Sequence, residues 1–261
     1  MMKKDLTVIW VLLISLDISS CQSSMYMASS QNVPLLTQKH ESNYTVCAGT
    51  ENIGVHGAYA FTDHLEAMAG FSYGQTLTGP YLPIVTKDIG YRMSEELAMG
   101  YYAVPLKRTS FEIFGGLETY NRIYNYMDEI SAMHYNNVAC SKPFVQANFG
   151  YKNSRGLALA FSIKMGYLLY KDHIYYTDFL SSTPEDVNDI RQKLWLIEPA
   201  ITFRTEAKRI SLFFQFGYAI PGDITVYDYL NENPYFTDNN IFFKRSFVNL
   251  GLTLSLKPKT K

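Results

Sequence analysis

From Glu41 onward the sequence alternates large apolar residues with small or polar ones at a period of two, the period of a half-buried β-strand. Ten segments carry the pattern: 41–50, 52–61, 64–73, 93–104, 109–120, 138–151, 156–170, 194–205, 209–219 and 245–256. In 156–170 one face is Leu157, Leu159, Phe161, Ile163, Met165, Tyr167 and Leu169, and the other is Ala158, Ala160, Ser162, Lys164 and Gly166. In 194–205 Trp195, Ile197, Ile201 and Phe203 oppose Glu198, Thr202 and Arg204. In 245–256 Val248, Leu250, Leu252, Leu254 and Leu256 oppose Asn249, Gly251, Thr253 and Ser255.

The connections alternate in length. Those near Asp63 and at 105–108, 152–155 and 206–208 are short, while 74–92, 121–137, 171–193 and 220–244 are long. The turn near Glu51 is the short exception on the long-loop side. An even strand number with short turns on one edge and long loops on the other is the signature of bacterial outer-membrane barrels. The expected fold is therefore all-β: an antiparallel up-and-down transmembrane β-barrel of about ten strands, with eight as the alternative count. Both ends of the barrel sequence then fall on the short-turn, periplasmic edge. A soluble lipocalin-like barrel would turn the apolar set inward and show water a charged face. Here the non-apolar set is rich in Gly, Ala and Ser, which suit a crowded interior, and the large apolar set is left for lipid. Lys164 and Glu198 share inward parity at matching heights on successive strands. An unpartnered buried charge is costly, so these two are expected to touch, in an interior polar network that also draws on Arg204 and Glu112.

Composition narrows the reading. A net charge of −1 gives no basic field for nucleic acid. Charged residues make up 18%, below the roughly 25% of soluble domains, and aromatics 15%. Many Tyr and few charges suit strands that meet a large core or a membrane interface. A mean hydropathy of −0.10 argues against a helical membrane protein and leaves a barrel open, because alternating strands average out.

The first forty residues read differently. Lys3 and Lys4 precede an apolar run from Leu6 to Leu16, too short to span a bilayer as a helix, which needs about 20 residues. Ile18-Ser19-Ser20-Cys21 follows, an aliphatic residue and two small ones before a cysteine, similar to the lipobox of bacterial lipoproteins. Residues 1–20 are expected to be a cleaved signal peptide and Cys21 the lipidated residue. The next positions carry no acidic residue, which points to the outer membrane. Residues 22–40 are polar, Ser-rich and broken by Pro34, the composition of a flexible tether. Within them Val33-Pro34-Leu35-Leu36 is an apolar knot that either docks on the barrel base or is a sticky part of the linker. The organisation expected is a signal peptide over 1–20, a lipidated Cys and tether over 21–40, a barrel over 41–256 and a tail over 257–261.

Asn32-Val33-Pro34-Leu35-Leu36 ahead of the first strand, Ala58-Tyr59-Ala60-Phe61-Thr62-Asp63-His64 at the first tight turn, and Phe111-Glu112-Ile113-Phe114-Gly115-Gly116 in the fifth strand resemble a group of Gram-negative outer-membrane β-barrel lipoproteins. The resemblance covers most of the chain after Cys21 and implies a barrel at the outer membrane. It brings no catalytic residue and no ligand. The last residues, Leu256 to Lys261, depart from the usual barrel pattern in lacking a terminal aromatic.

Candidate chemistry is sparse. Asp172-His173, with Asp178, Asp186 and Asp189 nearby, has protease-like residue types but no second carboxylate pair opposite. Ser131 and His134 share a long loop without an orienting acid. His56 has inward parity and reads as a hydrogen-bonded core histidine, while five scattered His without Cys/His spacing argue against zinc. Gly115-Gly116 relieves crowding rather than cradling phosphate, since nothing helical follows it. Residues 181–193 are compatible with a turn or two of helix behind Thr183 and Pro184. Cys47 and Cys140 fall on the first and sixth strands, on opposite walls of a ten-strand barrel, and are expected not to bond.

The leading reading is a non-enzymatic outer-membrane β-barrel lipoprotein with a packed interior and no cofactor or metal. Its partners are then membrane lipid and a protein or surface ligand met by the long loops. The alternatives are a barrel-fold lipid or peptide hydrolase and a soluble lipid-anchored barrel binding an apolar ligand.

Overall fold

A computed structural model describes residues 26–49, 52–78, 88–127, 133–153, 156–178, 193–207, 209–222, 243–244 and 246–258. Ten strands form the wall: β1 Ser42–Gly49, β2 Ile53–Ala60, β3 Leu65–Thr78, β4 Asp88–Ala103, β5 Thr109–Met127, β6 Met133–Lys152, β7 Leu157–Asp178, β8 Lys193–Ala207, β9 Ile210–Tyr218 and β10 Ser246–Leu256. Each pairs antiparallel with its sequence neighbours. The sheet closes where β10 pairs with both β9 and β1, from Ile210 opposite Leu254 to Ser42 opposite Leu256. Closure removes the free edges that would otherwise template aggregation. The fold is a ten-strand up-and-down barrel of the outer-membrane type.

All ten expected strands are present, and several run further than the alternation indicated. β5 and β6 stay paired up to Met127 opposite Met133, and β6 and β7 up to Met133 opposite Asp178. Most of the expected loop 121–137, and the start of 171–193, is therefore strand standing above the rest of the wall. The pairing of β6 with β7 slips at Ala139/Cys140, a bulge on β7 that skips Lys171, and from Cys140 downward Lys142, Phe144, Gln146 and Asn148 face the interior in period two.

The short turns are built by local bonds. The Thr62 hydroxyl accepts the His64 and Leu65 amides at 3.2 and 2.8 Å, and the Asn153 carboxamide accepts the Leu157 amide at 2.9 Å. Gly156, at φ 78°, supplies the left-handed residue of the second turn.

The outer face is apolar. Leu157, Leu159, Phe161 and Met165 on β7 are exposed, as are Trp195, Ile201 and Phe203 on β8 and Leu250, Leu252 and Leu254 on β10. Tyr44, Tyr59, Tyr101, Phe149 and Tyr151 ring the short-turn end, and Tyr73, Tyr91, Trp195 and Tyr218 ring the other. From Leu157 to Tyr167 the apolar face of β7 covers ten steps, about 25 Å of height at a typical strand tilt, matching the hydrocarbon thickness such barrels cross. Glu95 and Thr119, opposite one another on β4 and β5, interrupt this belt. The parity assignment holds on β7, β8 and β10, where the Gly, Ala, Ser and charged positions face inward, whereas Gly57, Ala67, Ala69 and Gly115 on β2, β3 and β5 face outward, so Gly115 relieves no crowding in the lumen.

Candidate functional site

The lumen holds a segment whose composition is that of a tether. Residues 26–36 run inside the barrel, and Tyr26, Ser29, Ser30, Gln31, Val33 and Leu36 are all buried. The segment begins at the long-loop end, where Tyr26 and Met27 pair in parallel with Phe243 and Lys244 ahead of β10. It reaches the short-turn end at Thr37, whose amide and hydroxyl donate to Glu41. A polar linker composition fits this position as well as it fits water, because the inner wall is itself polar. The expectation of a flexible tether fails for residues 26–36 for that reason. Residues 21–25 lie outside the described part of the chain, Cys21 with them.

Extended chain inside a barrel leaves its amides and carbonyls without strand partners, so the wall must supply them. It does so with side chains. Gln215 accepts the Gln31 amide and donates to the Gln31 carbonyl, both at 2.9 Å. Gln146 donates to the Asn32 carbonyl at 2.7 Å. Arg204 donates to the Val33 and Pro34 carbonyls at 2.6 and 3.2 Å, and Glu112 accepts the Leu36 amide at 2.8 Å. The Asn43 carboxamide donates to the Pro34 carbonyl as well.

The apolar knot seals the short-turn end. Leu36 packs with Ala58, Ala60, Met68, Ala98, Tyr102, Phe114 and Phe144. Leu35 adopts φ 55°, a left-handed backbone that a non-glycine residue holds only under constraint. Its side chain lies against Gly150, where an added Cβ would stand 2.6 Å from Leu35 Cδ2. Below the knot is a vestibule of about 290 Å³, lined by Glu41, Arg108, Lys152, Arg204 and Lys257 among others.

Midway up the lumen sits a compact charge cluster. Lys142 Nζ lies 2.8 Å from Glu118 and 2.7 Å from Glu198. Lys164 pairs with Glu96 and, at 3.0 Å, with Glu118. The Tyr26 hydroxyl joins in, donating to Glu198 and accepting from Lys142, both at 2.6 Å, and Ser29 donates to the other Glu118 oxygen at 2.9 Å. Lys164 also stands over the Phe144 ring at 4.2 Å from its centroid. All five charged side chains are nearly inaccessible. Each is held by an opposite charge, the condition under which buried ions are tolerated.

Of the predicted interior residues, Lys164 and Glu198 are direct partners in the β7–β8 register, yet their charged ends do not meet. The Lys164 ammonium reaches across the lumen to β4 and β5, while Glu198 is taken by Lys142 from β6. Arg204 and Glu112 sit lower, bonded to the inserted segment and, for Glu112, to Asn148 at 2.8 Å. The predicted single network is thus two layers. Sequence reasoning missed Glu96, Glu118 and Lys142, although all three share a face with small inward residues such as Ala98, Gly116 and Gly166. Cys47 and Cys140 form no disulfide, as expected, and Cys47 Sγ donates to Ser30.

Ser30 Oγ and His56 Nε2 are 2.7 Å apart, the atom pair of a nucleophile and its base. Both are buried, and His56 Nδ1 has no acid to orient it. Among the described residues no cluster of His, Cys, Asp and Glu is arranged to hold a metal ion. Ser131, Asp186, Asp189 and most of 181–193 lie outside the described residues; His134, Asp172, His173 and Asp178 fall on strand extensions whose side chains are likewise outside them.

No protein family and no curated protein matches the sequence. Among solved structures the chain is similar to the KdgM porin, at 9% identity over 83% of this chain and 99% of that one, with a TM-score of 0.37. It is also similar to OmpTdeltaL8, a loop L8 deletion mutant of OmpT, an outer membrane protein of Vibrio cholerae, at 7% identity over 83% of this chain and 97% of that one, with a TM-score of 0.27.

Proposed function

We propose that this protein is a non-enzymatic outer-membrane β-barrel lipoprotein whose lumen is stoppered by its own N-terminal segment, and that it works at the cell surface through the connections at its long-loop end. The observation that carries the reading is the burial of residues 26–36 inside the wall with their backbone groups held by wall side chains. A lumen filled in this way conducts no solute, so the parts left to meet a protein or surface ligand are the loops. The isolated Ser30–His56 pair lacks both an acid and room for a substrate, which supports a non-catalytic role.

Lipidation follows from the Ile18-Ser19-Ser20-Cys21 run. The Cys21 sulfur displaces the phosphorylated headgroup of a phospholipid to form a thioether to diacylglycerol, and the thiol proton leaves with the released phosphate. Hydrolysis of the Ser20–Cys21 peptide bond then consumes one water and frees the signal peptide. Radiolabelled palmitate should enter the parent chain and not Cys21→Ala; labelling of that variant sinks the lipid assignment. For the stoppered barrel, purified full-length protein in a planar bilayer should show no steady single-channel conductance. Stable open-channel currents would refute it.

A further inference from the structure

The direction in which residues 26–36 run has a consequence for Cys21. Tyr26 and Met27 pair with Phe243 and Lys244, which precede the first residue of β10 at the long-loop rim. From there to Leu256 at the short-turn edge, β10 spans eleven residues, about 28 Å of height at ~3.3 Å per residue and a tilt of ~40°. Cys21 is five residues before Tyr26. A fully stretched chain of that length covers at most about 18 Å. It therefore falls short of the short-turn edge, even along a straight line. The straight line is also blocked: the lumen below Tyr26 is occupied by Ala28 to Leu36, and the closed wall offers no side exit.

We propose that the segment enters the barrel from outside the cell, so that the acyl chains on Cys21 sit in the outer leaflet of the outer membrane, over the long-loop rim. This rests on the lipid reading of Cys21. The lipid then holds the stopper from above, while the Leu36 cluster and Arg204 hold it from below. The anchor is opposite in leaflet to that of a lipoprotein whose tether hangs into the periplasm.

The test uses the full chain in its own membrane. Ser24→Cys places a thiol between the lipid site and Tyr26. The Cys21 sulfur is blocked as a thioether, and Cys47 and Cys140 are 1% and 3% exposed, so the parent chain gives the background. A membrane-impermeant maleimide should label Ser24→Cys on intact cells to the same extent as after permeabilisation. Labelling that appears only after permeabilisation overturns the proposal. A second variant guards against an effect of the cysteine: an epitope inserted between Ser24 and Met25 should bind antibody on intact cells, and binding only after permeabilisation overturns the proposal likewise. The same epitope placed in the turn at Asp63 marks the periplasmic side, and heat-modifiable mobility verifies folding of each variant. Palmitate incorporation is read on the same cells. Palmitate present with thiol labelling only after permeabilisation overturns the direction alone, whereas absence of palmitate from the parent chain overturns the lipid reading and the leaflet assignment with it.

Discussion

In the middle of the lumen Lys142 and Lys164 are answered by carboxylates on other wall strands; near the short-turn end Arg204 and Glu112 are answered by the backbone of residues 33–36. The first layer joins wall to wall through its ion pairs, with Tyr26 and Ser29 of the segment bonded onto it, and braces the barrel. The second is wall against stopper and exists only while the stopper is seated. Polar residues of the same parity on the same strands thus do two jobs, and which job each does depends on what lies across the lumen from it.

The sharpest test of this contrast is deletion of residues 26–36. It should empty the lower layer and leave most of the ion pairs. Fourteen wall–segment bonds among the described residues are lost and water takes their place, so the folded barrel in lipid vesicles should lose on the order of 10 kcal/mol in urea unfolding, at ~0.5–1.5 kcal/mol net per bond. An unchanged midpoint would mean that the segment contributes nothing to the fold.

Lys142→Met strands Glu118 and Glu198 with one fewer cation. Breaking a buried pair from one side costs roughly 3–5 kcal/mol. The amides of residues 31–36 should keep their hydrogen-exchange protection in this variant, because their partners lie in the other layer. Arg204→Ala should behave in the opposite sense. Its cost is smaller, about 1.5–3 kcal/mol for the charge-assisted bond to Val33, because Asn43 still serves the Pro34 carbonyl, but exchange of the Gln31 and Leu36 amides should quicken while the wall strands stay protected. If both variants loosen the same amides, the two layers are one unit. The smallest effect belongs to the cysteines: reductant should leave the midpoint unchanged, and two thiols should titrate in the denatured, lipidated protein. A single Cys47–Cys140 bridge would require a different strand order.

The wall was legible in the sequence because lipid and a crowded interior impose opposite demands on alternate residues. Leu157 to Leu169 and Val248 to Leu256 have no other consistent reading. The stopper was not legible, for a physical reason. The stretch from Ser29 to Asn32 is met by polar groups such as Glu118, His56, Gln215 and Gln146, so it needs neither a period nor an apolar face, and Gln31 and Asn32 look like linker residues. Only Val33-Pro34-Leu35-Leu36 carried a trace of it. Register fared better than pairing: the alignment of Lys164 with Glu198 follows from strand lengths, whereas the choice of Glu96 and Glu118 as partners depends on which walls of a closed tube face each other.

The seam of the barrel joins Ser42 to Leu256, residues more than two hundred positions apart, and everything between them must be in place before it zips. A finished hoop of this width, packed with Phe114, Phe144 and Lys142, gives no free passage to a chain end arriving later. The order of assembly expected from this geometry is that the N-terminal segment lies down first and the strands curl around it, with the β1–β10 seam last. Such long-range closure is slow compared with hairpin formation, and the segment offers carbonyls and amides to side chains of β1, β5, β6, β8 and β9. The stopper is in this sense a mandrel, and the barrel is wound on it.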